Sequence, residues 1–334
     1  MKRRQLGRNG PEVSAIGIGA MSFAGFYGST SLEEAFALLD AARELGVDHL
    51  DTSNVYGNGK SEKMIGAYLA DRGAAARGAF KIATKAGINR DPDTGRRWYD
   101  NSFEHLQSEL DGSLKRLGVD AVDLFYVHRR QADKPIEEVA EALGRLVKAG
   151  KTKSIGFSEI APSSLRRANA VFPVAAVQNE YSLSTRFPEL GLVQASEELG
   201  TALVAFSPVG RGLLTDTPPS AAKVEDVAFL QNNPRFMAPN LSANLKLTEG
   251  FRALAAEMGL PAAGLAIAWL LAKSPSVIPI PGTRKAAHLK ELVTGAERVL
   301  TEEEISRVEK ALPVGWAHGD RYSDAQWIGP ERYC

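Results

Sequence analysis

Four side chains able to hold or move a proton each follow a short apolar run within the first 130 residues. Asp51 ends one run and Tyr56 follows it, inside the stretch GVDHLDTSNVYGNGKSE; Lys85 ends FKIATK, and His128 ends DLFYVH. A tyrosine hydroxyl, with an ordinary pKa near ~10, is a poor proton donor at neutral pH unless its phenolate is stabilised. A nearby ammonium such as Lys85 supplies that stabilisation, and Asp51 would keep the ammonium charged where burial would otherwise discharge it. A neutral His128 would orient a carbonyl oxygen beside the tyrosine. Together the four suit delivery of a proton to a carbonyl oxygen as hydride reaches its carbon. Each has a plainer role alone: a capping aspartate, a surface ring, a surface charge or Schiff-base lysine, a hydrogen-bonded histidine. Their recurrence after consecutive apolar runs favours the joint reading.

Such residues can meet only if the elements carrying them bring their ends together. Apolar runs at Ile16–Gly19, His49–Asp51, Phe80–Thr84, Leu124–Val127, Ser154–Phe157, Ala175–Gln178, Ala202–Phe206 and Val277–Pro279 read as about eight buried strands. Between them lie amphipathic helices. Thr30 and Glu33 form a candidate capping box, and Leu32, Leu38, Leu39, Ala42 and Leu45 line one face before Gly46 stops the helix. Phe103, Leu106, Leu110, Leu114 and Leu117 form a second stripe, and Ile136, Val139, Leu143 and Leu146 a third, followed by Gly150. Strands alternating with helices imply parallel crossovers with both sheet faces covered. Eight such units fit a closed (β/α)8 barrel better than an open doubly wound sheet. In such a barrel the site lies at the C-terminal ends of the strands, where the four residues fall. The turn Gly-Arg-Asn-Gly-Pro within Arg3–Ser14 predicts an N-terminal β-hairpin closing the barrel bottom. Residues 208–247, rich in Pro, Asn and Gly, read as a long functional loop, and residues from about 301 to 334 as a C-terminal tail. The whole chain, 1–334, reads as one domain.

Composition narrows the class. Hydrophobic residues are 44% and charged residues 24% of the 334, so a large core is possible and disorder is excluded. Forty basic residues balance forty acidic ones, which argues against nonspecific nucleic-acid binding or attraction to a membrane surface. Cys334 is the lone cysteine, so no internal disulfide or cysteine-based metal cluster is expected. The basic N-terminus has no apolar core of a signal peptide, and no run reaches the ~18 apolar residues of a membrane span. A cytoplasmic protein is expected. The five histidines include no pair at i, i+3 or i+4, so no metal site is expected. Three nucleotide-like strings fail: Gly17-Ile-Gly19 lacks the third glycine, the string ending Gly59-Lys60-Ser61 has Asn54 where a P-loop needs glycine, and Gly210-Arg-Gly212 has no third glycine. Any nucleotide is therefore bound without a Rossmann fold.

With the tetrad and its local words on the page, the chain from about Arg4 to Val314 resembles the aldo-keto reductase superfamily. That family's aspartate, tyrosine, lysine and histidine fall on Asp51, Tyr56, Lys85 and His128. The resemblance implies a barrel enzyme that reduces aldehydes or ketones with an extended nicotinamide cofactor, NADPH in preference to NADH, and Tyr56 as proton donor. It places Ser158 (in KSIGFSE) and Gln178 (in AAVQNEYS) on the nicotinamide carboxamide. In LVAFSPVGRGLL it places Phe206 on the nicotinamide ring, with Ser207, Gly210 and Gly212 near the pyrophosphate. In IPIPGTRKAAHLKEL it places Gly282, Thr283, Arg284 and His288 at the adenosine 2′-phosphate and Glu291 at the adenine. Three positions depart from the family pattern: Glu159 stands where asparagine is common, Leu292 likewise, and His288 where arginine is common. Phe23, Phe26, Tyr27, Trp98 and Tyr99 are candidates for an apolar carbonyl pocket, while Trp316 and Trp327 read as packing residues. Two other functions stay open. One is a regulatory subunit on the same fold, like the β subunits of voltage-gated potassium channels; the other is a lyase forming a Schiff base through Lys85.

Overall fold

A computed structural model describes residues 1–91 and 93–332, so Cys334 lies outside the described residues. Twelve short strands are described. The first two, β1 (Arg3–Gln5) and β2 (Glu12–Ser14), pair antiparallel. Eight more form one wholly parallel sheet: β3 (Ile18–Gly19), β4 (His49–Asp51), β5 (Lys81–Ala86), β8 (Leu124–Val127), β9 (Ile155–Ser158), β10 (Val174–Glu180), β11 (Ala202–Phe206) and β12 (Val277–Pro279). Their spatial order is their sequence order. The sheet curls until its ends meet, with the Gly17 amide donating to Pro279 O (2.8 Å) and the Gly19 amide to Pro281 O (3.0 Å). Helices cover the outside, as a (β/α)8 barrel requires. All eight apolar runs read in the sequence are strands, four of them with the same bounds.

The barrel interior is filled by alternate strand residues, among them Ala83, Leu124, Tyr126, Val204 and Ile278. Leu6 and Val13 of the N-terminal hairpin pack into that same cluster, so the hairpin plugs the cylinder from below. At Gly7, in the hairpin turn, φ is +84° and a Cβ would come within 2.7 Å of Ala175 Cα. Only glycine fits there.

Three expectations are corrected. The first helix, Leu32–Glu44, is capped by Ser31 with Glu34, one residue later than the Thr30–Glu33 pair. Thr30 Oγ1 is spent on a buried tertiary bond to Ser22 O (2.8 Å), which leaves Ser31 to accept from the helix amides. Leu32 consequently points outward and is 44% exposed, while Ala35, Leu38, Leu39 and Ala42 carry the core face. The span 208–247 is not one long loop: helices occupy Ala221–Glu225 and Ala228–Gln231, and a long helix already begins at Asn240. The C-terminal segment also starts as structure. Glu302–Ala311 is a helix with a Thr301–Glu304 capping box, and only 313–332 is irregular.

One element had no sequence signal. After β5 the chain forms a second small hairpin, β6 (Ile88–Arg90) with β7 (Arg97–Tyr99), standing at the C-terminal mouth of the barrel.

Candidate active site

A cleft of about 1280 Å³ opens at the C-terminal ends of the strands. Asp51, Tyr56, His128, Ser158, Gln178, Phe206, Ser207, Gly212, Gly282, Thr283, Arg284 and His288 all line it. Parallel pairing produces this convergence: Asp51 ends β4, Lys85 lies one residue from the end of β5, His128 follows β8, and Ser158 ends β9.

Lys85 lies beneath the cleft floor with no exposed side-chain surface. Its ammonium donates to Asp51 Oδ1 and to Thr52 O (2.8 Å), and the other Asp51 oxygen accepts from Gln178 Nε2 (2.7 Å). Removing either charge of such a buried pair leaves the other uncompensated, at a cost of about 3–5 kcal/mol. The ammonium nitrogen is 5.2 Å from the Tyr56 ring centroid. The His128 ring lies 5.7 Å from the same ring, edge to face, and its Nδ1 is 3.0 Å from Ser53 Oγ.

The protonation states follow from these surroundings. His128 is pushed well below its ordinary value, first by burial and then by the positive charges of Arg129, Lys85 and Arg97. It is neutral at physiological pH. For Tyr56 the expected acidification by Lys85 is corrected: burial is the largest influence and raises the phenol, and the pull of Lys85 and Arg129 offsets it only in part. The phenol is therefore fully protonated at neutral pH, and the cations lower the cost of forming its anion.

Arg129, which the sequence reading passed over, is the hub of this region. Its Nη1 donates to His128 O (2.6 Å) and to Ser158 Oγ (3.1 Å), and its Nη2 donates to Tyr322 Oη (3.1 Å). Tyr322 belongs to the C-terminal segment, which crosses the mouth as a strap. Trp316 anchors that strap by donating from Nε1 to Leu183 O (2.8 Å), and Arg321 anchors it on the Glu159 carboxylate (2.6 Å). Glu159 thus faces the strap and the backbone of Glu180 rather than the cleft. That accounts for a carboxylate at this position. Buried Glu180 in turn holds Arg211 (2.8 Å) and Arg235 (3.3 Å), whose positive charges, with that of Arg321, outweigh the burial that would raise its pKa.

Not every expected residue reaches the cleft. Gly210 is buried behind it, with φ +59° and a Cβ position 3.1 Å from Ser184 Oγ. Glu291 sits on the helix Ala286–Glu297, three residues past His288, outside the lining, and Leu292 on the same helix is buried in the core. Of the aromatic candidates, Phe26, Tyr27 and Tyr99 line the cleft, Phe23 is core, and Trp98 is 46% exposed and outside the lining. Phe229, from the short helix Ala228–Gln231, completes the wall by packing edge to face on Phe26 (5.6 Å) and Tyr27 (5.3 Å).

The Aldo/keto reductase family model matches residues 15–313. The chain belongs to the aldo/keto reductase family. A Schizosaccharomyces pombe aldo-keto reductase whose name carries NADP(+) is 36% identical over 322 residues, covering 96% of this chain and 94% of its own. An aldo-keto reductase of Strobilurus tenacellus is 39% identical over 318 residues, with 92% of each chain covered. Among solved structures, a glycerol dehydrogenase from Gluconobacter oxydans superposes with a TM-score of 0.81 at 27% identity, covering 93% of this chain and 94% of that one. An aldo-keto reductase from Bacillus halodurans in a holo form gives 0.77 at 27% identity, covering 98% and 99%. The barrel and the oxidoreductase class are those of the family.

The strap and the β6–β7 hairpin both line the mouth of this aldo/keto reductase. Three of the four non-glycine residues with positive φ among the described residues, Glu159 (59°), Ser207 (51°) and Arg211 (55°), lie in the loops after β9 and β11. Such backbone strain, of order 1–3 kcal/mol per residue, persists where surrounding contacts over-determine it, and it clusters at functional sites.

Proposed function

We propose that the chain, acting as one catalytic unit, reduces an aldehyde or ketone to the alcohol with NADPH. The observation that carries this reading is the lining of one cleft by Tyr56 and His128, over a buried Lys85–Asp51 pair. The donor set of the cleft fits the dinucleotide. At one end Ser158 and Gln178 present a hydroxyl and an amide, the partners a carboxamide needs, beside the ring of Phe206. In the middle Gly212 (φ +100°) lines the wall beside Arg211, whose buried Nε and Nη1 have no hydrogen-bond partner among the described residues. Those donors and a bare backbone suit a phosphate. At the rim Thr283, Arg284 and Lys285 gather a hydroxyl and two cationic groups on one loop, with His288 on the helix that follows, which suits the additional phosphate of NADPH.

When bound, NADPH supplies hydride from C4 of its nicotinamide. The chain's part is to bind the carbonyl and supply the proton. In the tautomer in which Ser53 donates to Nδ1, the neutral His128 carries its proton on Nε2 and would donate to the carbonyl oxygen, setting its place beside Tyr56. Tyr56 Oη gives its proton to that oxygen as negative charge develops on it, so that the carbonyl becomes an alcohol. The tyrosinate left behind is stabilised by the Lys85 ammonium, which Asp51 and Thr52 O hold in place. A proton from solvent restores the phenol.

The Schiff-base alternative needs an accessible neutral amine, whereas the Lys85 side chain is wholly buried and paired with Asp51. The regulatory-subunit alternative predicts binding of NADPH without turnover. Tyr56→Phe separates the readings: kcat should fall by about 10²–10⁴-fold while NADPH still quenches protein fluorescence with an unchanged dissociation constant. Unchanged turnover in that variant refutes the proton-donor role.

A further inference from the structure

Two guanidiniums, those of Arg97 and Arg129, line the cleft and place positive charge on His128, and the reduction step derived above uses neither to hold substrate. Arg97, paired with Arg90 in the β6–β7 ladder, lines the cleft, and its side chain has no ion pair or hydrogen bond among the described residues. Arg129 lines it too, and three of its five N–H groups are taken by His128 O, Ser158 Oγ and Tyr322 Oη. Its Nε–H and second Nη2–H have no partner among the described residues. Both charges reach the imidazole of His128, together with that of Lys85. The acidic groups nearby are committed or peripheral. Asp51 is held by Lys85 and Gln178, and Glu109 accepts from Asn54 (2.6 Å). Asp91 accepts from the amides of Asp93 and Thr94 in the hairpin turn, and Asp93 is exposed at that turn. The walls between are aromatic: Phe26, Tyr27, Tyr99 and Phe229. Positive charge with spare donors at the end of an apolar slot is a receptor for an anion, because guanidinium N–H groups grip a carboxylate in a fork.

We propose that the carbonyl substrate of this site carries a carboxylate, which seats between Arg97 and Arg129 while its carbonyl lies against Tyr56 and His128. This rests on the reductase reading and adds a substrate class to it. The aromatic wall then holds the spacer, and the anion fixes which end of the molecule enters first.

The test compares 4-carboxybenzaldehyde with methyl 4-formylbenzoate, two flat aldehydes of similar size and carbonyl reactivity that differ by one charge. With NADPH and the full chain, kcat/KM should be at least about tenfold higher for the acid, worth ~1.4 kcal/mol. Raising ionic strength from about 20 to 500 mM should shrink that ratio severalfold, since the interaction is screened. Arg97→Gln should bring the ratio near unity and Arg97→Lys, which keeps the charge, should restore most of it. An acid-to-ester ratio near one in the unaltered protein, or a ratio that Arg97→Gln leaves intact, overturns the carboxylate seat. Continued reduction of the ester in those cases leaves the reductase reading standing. Turnover of neither aldehyde removes both.

Discussion

At Arg284 one guanidinium nitrogen is already committed to Ser29 O (2.7 Å), which anchors the side chain across the rim while its remaining N–H groups border the cleft. Lys285 follows it on the same loop, so a phosphate there would meet the charges of Arg284 and Lys285 together. Charge-assisted hydrogen bonds of this kind contribute about 1.5–3 kcal/mol. Arg284→Ala should therefore weaken NADPH by roughly ten- to a hundredfold and leave NADH nearly unaffected, read by fluorescence titration of both nucleotides. Equal losses for the two would show that Arg284 supports the rim rather than a phosphate. The same reasoning explains Tyr56. In the proposed reduction Lys85 lowers the cost of the phenolate once it forms rather than ionising the phenol beforehand, because burial outweighs the ammonium in the resting protein.

At the scale of elements, the C-terminal strap and the end of β9 are tied through Arg129 as well as through the Arg321–Glu159 pair. Arg129 donates to Ser158 at the end of β9 and to Tyr322 in the strap, residues far apart in sequence. Its remaining freedom is small, since the Cβ position of Gly329 is 3.1 Å from Arg129 Cδ and 2.7 Å from the Tyr99 hydroxyl. Tyr322→Phe removes the strap's acceptor while keeping the ring edge to face with Trp327 (5.6 Å) and under the Arg321 guanidinium (4.6 Å). Loss of one hydrogen bond of about 1 kcal/mol should loosen Arg129 and hence the Ser158 hydroxyl. NADPH affinity should fall by about fivefold with little change in melting temperature. An unchanged affinity would show that the strap covers the cleft without ordering it.

Across the whole molecule, buried titratable groups set the pH range of stability. His49 and His128 are both held below the ordinary histidine value of 6.5, mainly by burial. Between that value and their lowered native ones the unfolded chain binds protons that the native chain refuses, so stability falls as pH drops below about 6.5. On the alkaline side Tyr56 and Tyr126 are raised and Tyr322 is pushed up to about 12, again chiefly by burial. Above the ordinary tyrosine value of 10 the unfolded chain loses protons that the native one keeps, and stability falls again. Denaturant midpoints measured from pH 5 to 11 should thus form a plateau bounded on both sides. His49→Gln, which removes a ring with no hydrogen-bond partner among the described residues, should flatten the acid side. A midpoint that rises toward pH 5 would contradict this.

What could be read without coordinates was whatever depends on local pattern. Apolar runs of three to five residues alternating with helical stripes determine a barrel, and a barrel determines that residues ending its strands share one mouth. Asp51, Lys85 and His128 were legible for that reason, whereas Ser158 came only from the family resemblance. The helix start was misread by one residue because Thr30 and Ser31 are equally good caps in isolation, and only the buried bond from Thr30 to Ser22 chooses between them. Arg97, Arg129, Phe229 and Tyr322 left no comparable trace. An arginine after a histidine, or on an exposed hairpin, looks like surface charge until the folded chain brings Ser158 and a tyrosine 193 residues away within reach of it. Periodicity encodes which face of an element is buried. Which distant side chains then meet across a cleft is decided by the closure of the cylinder and the path of the strap over it.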